Sequence, residues 1–411
     1  MNEQKKELYK NIFNITVLVS SLGYFVDIYD LILFGIVRIP SLTYLGIHGS
    51  QLIDSGVYIL NMQMGGMLIG GLIFGIWGDK KGRLSVLFAS IFLYSAANFV
   101  NAYVTSIQMY AVLRFIAGVG LAGELGAAVT LVSETMTKET RGYGTAMVAT
   151  IGVMGAILAA IVGEEFSWQT AYIIGGVLGV FLLIMRISLF ESGMYNSIRK
   201  SNVAKGQFLK LFTSKERFLK YVNCIMIGLP IWYVVGVLIT FSPEFGKILG
   251  VTQPIVAGKS IMYTYIGLIF GDFISGFLSQ YLKSRKKAVS IFVILTTIFI
   301  FVYLFSHGLS LFYFYSLCVV LGISIGYWAV FVTTAAEQFG TNLRSTVTTT
   351  VPNFIRGSVI PITIFFDILR KPFGLIYSAL FVGIITIIIA FISLYSLKET
   401  YGVDLDYIEK I

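Results

Sequence analysis

Gly71-Leu72-Ile73-Phe74-Gly75-Ile76-Trp77-Gly78-Asp79-Lys80-Lys81-Gly82-Arg83 ends one long apolar run, turns on a loop with one acid and three bases, and leads into the next apolar run. A glycine-flanked charged clasp between two membrane-length segments has no use in a soluble core. Outward from it, apolar runs of about 20 residues, enough to cross a hydrocarbon layer of about 30 Å, recur along the chain. They fall at 14–39, 53–77, 85–104, 107–135, 143–163, 168–190, 219–242, 259–283, 287–306, 310–336, 346–369 and 373–397. The 411 residues are 56% hydrophobic and only 12% charged, too little polar surface for a soluble protein of this size. The expected fold is an all-α polytopic membrane protein of 12 transmembrane helices in two six-helix bundles. A bundle over 1–190, a polar linker over 191–218 rich in Lys, Ser and Asn, and a bundle over 219–411 divide the chain.

The net charge of +9 is explained by topology. With the N-terminus inside, 23 Lys and Arg fall on the cytoplasmic side and 5 on the other (Arg38, Lys247, Lys259, Arg370 and Lys371), as the positive-inside rule requires. Both termini are then cytoplasmic, the surrounding partner is membrane lipid, and the basic excess gives no nucleic-acid site. The first run follows Lys5, Lys6 and Lys10 like a signal peptide. It is too long, holds two aspartates and lacks a small-residue cleavage pattern, so it is expected to stay in the chain. Cys224 and Cys318 lie in apolar runs and read as buried small hydrophobes. His48 and His307 fall in loops, away from any proton path.

Marks repeat between the halves. Gly75-x3-Asp79 corresponds to Gly276-x3-Gln280 at an offset of 201, and Glu134-x6-Arg141 to Glu337-x6-Arg344 at an offset of 203. A repeated six-helix unit puts a solute site near the midplane between repeats, reached by rocking one half on the other.

The chain here resembles the major facilitator superfamily. Gly75 to Arg83 is similar to its signature loop between spans two and three, and Leu113-Arg114-Phe115-Ile116-Ala117-Gly118-Val119-Gly120 to its fourth-span signature. Four segments resemble the metabolite:proton symporter branch of proline/betaine and dicarboxylate importers. They are Asp27-Ile28-Tyr29-Asp30, Gly123-Glu124-Leu125-Gly126, Glu134 through Arg141-Gly142, and Trp168 through Arg186 with Glu191-Ser192. The second half departs from the pattern, with Gln280 in place of an aspartate. The size and the Ile/Lys-rich composition are also loosely similar to phagosomal nutrient transporters of intracellular bacteria. The resemblance implies a monomeric proton-driven importer in the bacterial cytoplasmic (inner) membrane, using the proton gradient and no cofactor or metal.

A charge inside the bilayer costs several kcal/mol unless paired or hydrated, which makes Asp27, Asp30, Arg114, Glu124, Asp272 and Arg356 functional candidates. Asp27 and Asp30, three apart, share a helix face and repel when both are ionised, as a proton-loading site requires. Arg114 lies about 15 Å along the axis from Glu124 at 1.5 Å per residue, too far to pair with it, and suits Asp27 or Asp30. Asp27, Asp30, Glu124 and Arg114 are therefore the expected proton-coupling set; the rival reading is static buried pairing. Pro352 and Pro361 predict a bent or broken eleventh span, where Arg356 would take a carboxylate bidentately or merely bridge to Asp272. The expected substrate-lining set is Asp27, Tyr29, Asp30, Glu124, Tyr233, Asp272, Tyr327, Trp328, Asn353 and Arg356, with Tyr24, Trp232 and Tyr265 as further aromatics away from the interfaces. Gly65, Gly66, Gly70, Gly71 and Gly75 read as close helix packing. Gly75, Asp79, Arg83, Glu134, Arg141, Glu337 and Arg344 are the expected gating set at helix ends.

Gly152 to Ala160 lacks the proline of the span-five bend that proton-antiporting exporters carry, which favours uptake over export. Charged candidates in both halves favour a small polar solute: amino acids and betaines first, then di- or tricarboxylates, including carboxylate siderophores. No nucleotide loop, metal spacing or nucleophile–base constellation is present to suggest an enzyme.

Overall fold

The computed structural model describes residues 15–81, 83–136, 141–189 and 208–402. The described residues are helical throughout, with no strand among them. Three unbroken helices open the fold: α1 (Ile15–Tyr44), α2 (Gln51–Lys81) and α3 (Arg83–Asn101). Span four breaks into α4 (Ile107–Leu121) and α5 (Glu124–Thr135), and span five into α6 (Arg141–Val153) and α7 (Gly155–Glu165). Span six is α8 (Trp168–Leu189). Span seven is assembled from α9 (Lys215–Met226), α10 (Leu229–Tyr233) and a π-helical stretch, Val234–Ile239, and is followed by α11 (Ser242–Ile248). Then come α12 (Ala257–Tyr281), α13 (Arg285–Phe305), the broken span ten as α14 (Leu311–Ile325) and α15 (Trp328–Glu337), α16 (Thr341–Gly357) and α17 (Val359–Ser396).

Ten stretches are long and apolar enough to cross a membrane. Ser85–Asn101 is a shorter apolar helix, and the 51-residue stretch Thr346–Ser396 holds two crossings that part at Gly374, whose φ of 73° interrupts the helix. The result is an all-α, twelve-helix membrane protein.

Two of the breaks have a local cause. Proline lacks an N–H, and its ring clashes with the carbonyl four residues back. Pro230 and Pro361 place that clash at Met226, where α9 ends, and at Gly357, where α16 ends. Pro352, by contrast, sits inside α16 without ending it. The breaks also recur in register: Gly123 and Gly326 are 203 positions apart, and Met154 and Ser358 are 204 apart. Close packing repeats too. A Cβ on Gly66 would meet the Phe115 carbonyl oxygen at 2.1 Å, and one on Gly267, 201 positions on, would meet that of Val319 at 2.0 Å. Spans two and four, and spans eight and ten, therefore touch backbone to backbone.

Candidate functional site

Irregular backbone at membrane depth persists where it is enclosed by protein or lines a cavity. Here the breaks gather around Arg356, two residues before the α16–α17 interruption at Ser358 and 1% exposed. Its guanidinium carbon lies 5.9 Å from the ring centroid of Trp232, beside the π-helical stretch, and 5.9 Å from that of Trp328, the first residue of α15. The two indoles stand 6.4 Å apart at 72°. Arg356 Nη2 donates to the Tyr24 hydroxyl at 3.4 Å, and Gly152 makes room for the Tyr24 ring. Arg356 Nε and Nη1 and Trp232 Nε1 have no hydrogen-bond partner among the described residues. From α1, Asp27 Oδ2 lies 3.9 Å from Arg356 Nη1, beyond hydrogen-bond reach, and neither Asp27 oxygen accepts a hydrogen bond among the described residues.

The other two acids of the first six spans are held differently. Asp30 Oδ1 accepts from Arg114 Nη1 at 3.0 Å, and Arg114 also donates to the Asp30 carbonyl, to Gln63 Oε1 at 3.3 Å and to Asn98 Oδ1 at 3.1 Å. Glu124, at the start of α5, is gripped by both terminal nitrogens of Arg186 from α8. A Cβ on Gly23 would collide with that pair, so the glycine of α1 is what lets α1 lie over it. Arg114 and Glu124 do not pair. Arg186, counted from sequence among the cytoplasmic charges, is a buried partner of Glu124. Arg38, counted on the opposite side, is buried as well.

Several expected lining residues have their polar atoms engaged elsewhere. The hydroxyls of Tyr29, Tyr233 and Tyr327 donate to the carbonyls of Ala171, Ala379 and Ile227 at 2.8, 2.6 and 3.0 Å. Asn353 Nδ2 donates to the Ala122 carbonyl, freed by the break in span four, and to that of Thr349. The alternative of an Asp272–Arg356 bridge is not what the structure has: Asp272 Oδ1 accepts from Ala329 N–H at 3.0 Å, at the start of α15. Sequence reasoning missed Arg186, Gln63 and Asn98. The signal for the two amides was their place inside apolar runs; Arg186 was hidden by lying near the end of its run.

Of the expected gating set, the side chains of Asp79, Arg83, Glu134, Arg141 and Arg344 lie outside the described residues. Gly75 faces Thr350, whose Cγ2 would be 3.9 Å from an added Cβ. Glu337 pairs with Arg285 at 3.2 Å and accepts from Thr400. At the opposite end from these residues, three ion pairs join elements before residue 190 to elements after 208. Arg38 Nη2 meets both oxygens of Glu244 at 2.7 and 2.8 Å, with its guanidinium 4.6 Å from the Phe241 ring centroid. Glu164 meets Lys259 at 2.8 Å, and Asp54 meets Arg370.

The chain is similar to named transporters and, in fold, to a solved symporter. The chain is 25% identical over 304 residues to the putative niacin/nicotinamide transporter NiaP of Bacillus subtilis (strain 168), covering 71% of this chain and 73% of that protein. It is 27% identical over 240 residues to the sialic acid transporter NanX of Escherichia coli (strain K12), covering 57% of each. The crystal structure of a D-xylose-proton symporter superposes with a TM-score of 0.71 over 95% of this chain and 99% of that one, at 15% identity, a likeness of fold. The family model of the Major Facilitator Superfamily matches residues 20–363, and with the twelve-helix fold this places the chain in that family as a transporter.

Proposed function

We propose that the chain is a secondary transporter of small organic anions, taking up a carboxylate together with a proton by alternating access between two six-helix halves. One observation carries this reading. Arg356 is buried between two indole faces with Nε and Nη1 unpartnered, a charged donor fork of the geometry that matches a carboxylate. The nearby acid cannot satisfy it at 3.9 Å. Two of the similar proteins are named for niacin/nicotinamide and for sialic acid, and niacin and sialic acid are carboxylates. The excess of Lys and Arg on one side supports a topology with both termini in the cytoplasm.

Asp27 supports a second reading. Its two unpartnered oxygens would suit the ammonium of an amino acid whose carboxylate rests on Arg356. Counterflow in proteoliposomes separates the readings. Under the first, labelled nicotinate exchanges, and unlabelled nicotinate competes far better than nicotinamide or proline. Arg356→Gln abolishes the preference for the acid over the amide. Efficient competition by proline with none by nicotinate would replace the first reading with the second.

A further inference from the structure

A helix that starts at membrane depth has first-turn N–H groups that only protein can satisfy. For α15, the second half of span ten, they are met from another span. Its N-cap residue, Tyr327, makes no capping bond, and the Tyr327 hydroxyl is spent on the Ile227 carbonyl. From span eight, Asp272 Oδ1 accepts from Ala329 N–H at 3.0 Å, and the Trp328 N–H also donates to that carboxylate. Aspartate is among the best N-cap residues, and its charge suits the positive end of a helix dipole. Two glycines set the approach. A Cβ on Gly326, at the break, would lie 2.4 Å from the Cα of Gly271, the residue before Asp272. Asp272 joins none of the ion pairs among the described residues, so this helix end stands where a cation would.

Trp328 is the first residue of α15, so whatever holds that turn holds its indole. The ring lies 5.9 Å from the Arg356 guanidinium carbon, packs on Phe331 three residues along at 5.5 Å, and meets Trp232 edge-on at 6.4 Å. We infer that Asp272 is a specificity-determining positioning residue. By holding the first turn of α15, it fixes the Trp328 indole as the wall against which the body of a solute rests while its carboxylate is on Arg356. This rests on the reading of Arg356 as the carboxylate site. In this role Asp272 acts through Trp328 and moves no proton. An indole wall contributes by apolar and ring contact. It therefore acts on carboxylates with a flat apolar body, such as nicotinate and benzoate, and not on acetate, which reaches only the guanidinium. Loosening α15 changes the choice between carboxylates, not the hold on all of them alike.

The test is counterflow of labelled nicotinate in proteoliposomes, competed by unlabelled benzoate and acetate. In the wild type, benzoate competes far better than acetate. Asp272→Ala is expected to lower that preference about fivefold or more, the scale of a lost helix cap, with the maximal exchange rate less affected. Asp272→Asn keeps an oxygen acceptor in the same place and recovers most of the preference, a rescue that a proton-carrying or ion-pairing carboxylate would not show. Trp328→Ala loses the preference by itself, and adding Asp272→Ala to it lowers the preference no further, because one acts through the other. A preference unchanged in Asp272→Ala overturns the inference. Trp328→Ala and Asp272→Asn decide the matter even where Asp272→Ala does not fold: a preference kept in the first, or lost in the second, overturns it equally. All three results leave the carboxylate site standing. Absence of nicotinate exchange in the wild type, with no protection of the protein by nicotinate, benzoate or acetate against thermal unfolding, overturns the inference together with the proposed function.

Discussion

At the scale of single residues, the sequence marked which side chains are out of place in lipid but not which partner each would find. Asp30 and Arg114 lie 84 positions apart, Glu124 and Arg186 lie 62 apart, and Arg356 reaches Tyr24 across 332. Such pairings depend on helix rotation and depth, which apolar runs do not encode. Gly23 shows how tightly one pairing is fitted. A methyl group there would lie 2.0 Å from Glu124 Oε1 and 2.2 Å from Arg186 Nη2, so Gly23→Ala must displace a buried ion pair. Overpacking of this kind costs about 1–3 kcal/mol, and the expected result is a lower thermal midpoint in detergent. An unchanged midpoint would mean that the pair relaxes freely. Glu399, beyond the last span, titrates predictably. Partial burial pushes its carboxyl up, but donation from Ser284 Oγ and from the N–H groups of Tyr401, Arg285 and Lys286 outweighs this and holds it below the ordinary value. Its stabilisation is present in full above the unfolded-state value and is lost as pH falls through the folded one. Glu399→Gln is therefore expected to be less stable than wild type near neutrality and to converge with it on acidification. A stability gap that is constant or widening at low pH would contradict the assignment.

At the scale of elements, the twelve crossings were legible because length and apolarity suffice to define a span. The interruptions were legible only where proline forces them. The pair in span eleven gave the break, and its position at Ser358 follows from Pro361 and not from Pro352. Span five breaks at Met154 without any proline, and span ten breaks at Gly326. The cause in span five is tertiary: a Cβ on Gly155 would lie 2.0 Å from the Phe25 carbonyl oxygen, so α1 presses on the backbone just past the break. Gly155→Ala is expected to part α1 from span five and to slow nicotinate counterflow while leaving the protein inserted and folded by circular dichroism. Normal counterflow would show that this approach is not needed for the cycle. The recurrence of breaks at offsets of 203 and 204 matches the 201 and 203 of the sequence marks, so the repeat visible in a few residues extends to the backbone itself.

At the scale of the whole molecule, the charged clasp that decided the fold directs attention to one end, and the three ion pairs between Arg38 and Glu244, Glu164 and Lys259, and Asp54 and Arg370 close the other. They are unequal. Both partners of the Glu164–Lys259 pair are well exposed, and exposed pairs contribute about 0–1 kcal/mol. Arg38 is wholly buried, stacked on Phe241, and also donates to the carbonyls of Leu52 and Thr240. Glu244→Gln removes its counter-ion and should favour any conformation in which Arg38 meets water. A bias of about 1–3 kcal/mol shifts a two-state equilibrium roughly 5- to 150-fold. Ser242, buried two residues before Glu244, reports the shift when replaced by cysteine in a background with the buried Cys224 and Cys318 changed to alanine. A membrane-impermeant maleimide is expected to label Ser242→Cys slowly with Glu244 intact and at least several-fold faster with Glu244→Gln. Asp79→Asn, at the clasp, acts at the opposite end and is expected to slow turnover more than it weakens solute binding. Equal labelling rates with and without the Glu244 substitution would remove the Arg38–Glu244 pair from the conformational balance. The closed end would then be held by helix packing alone.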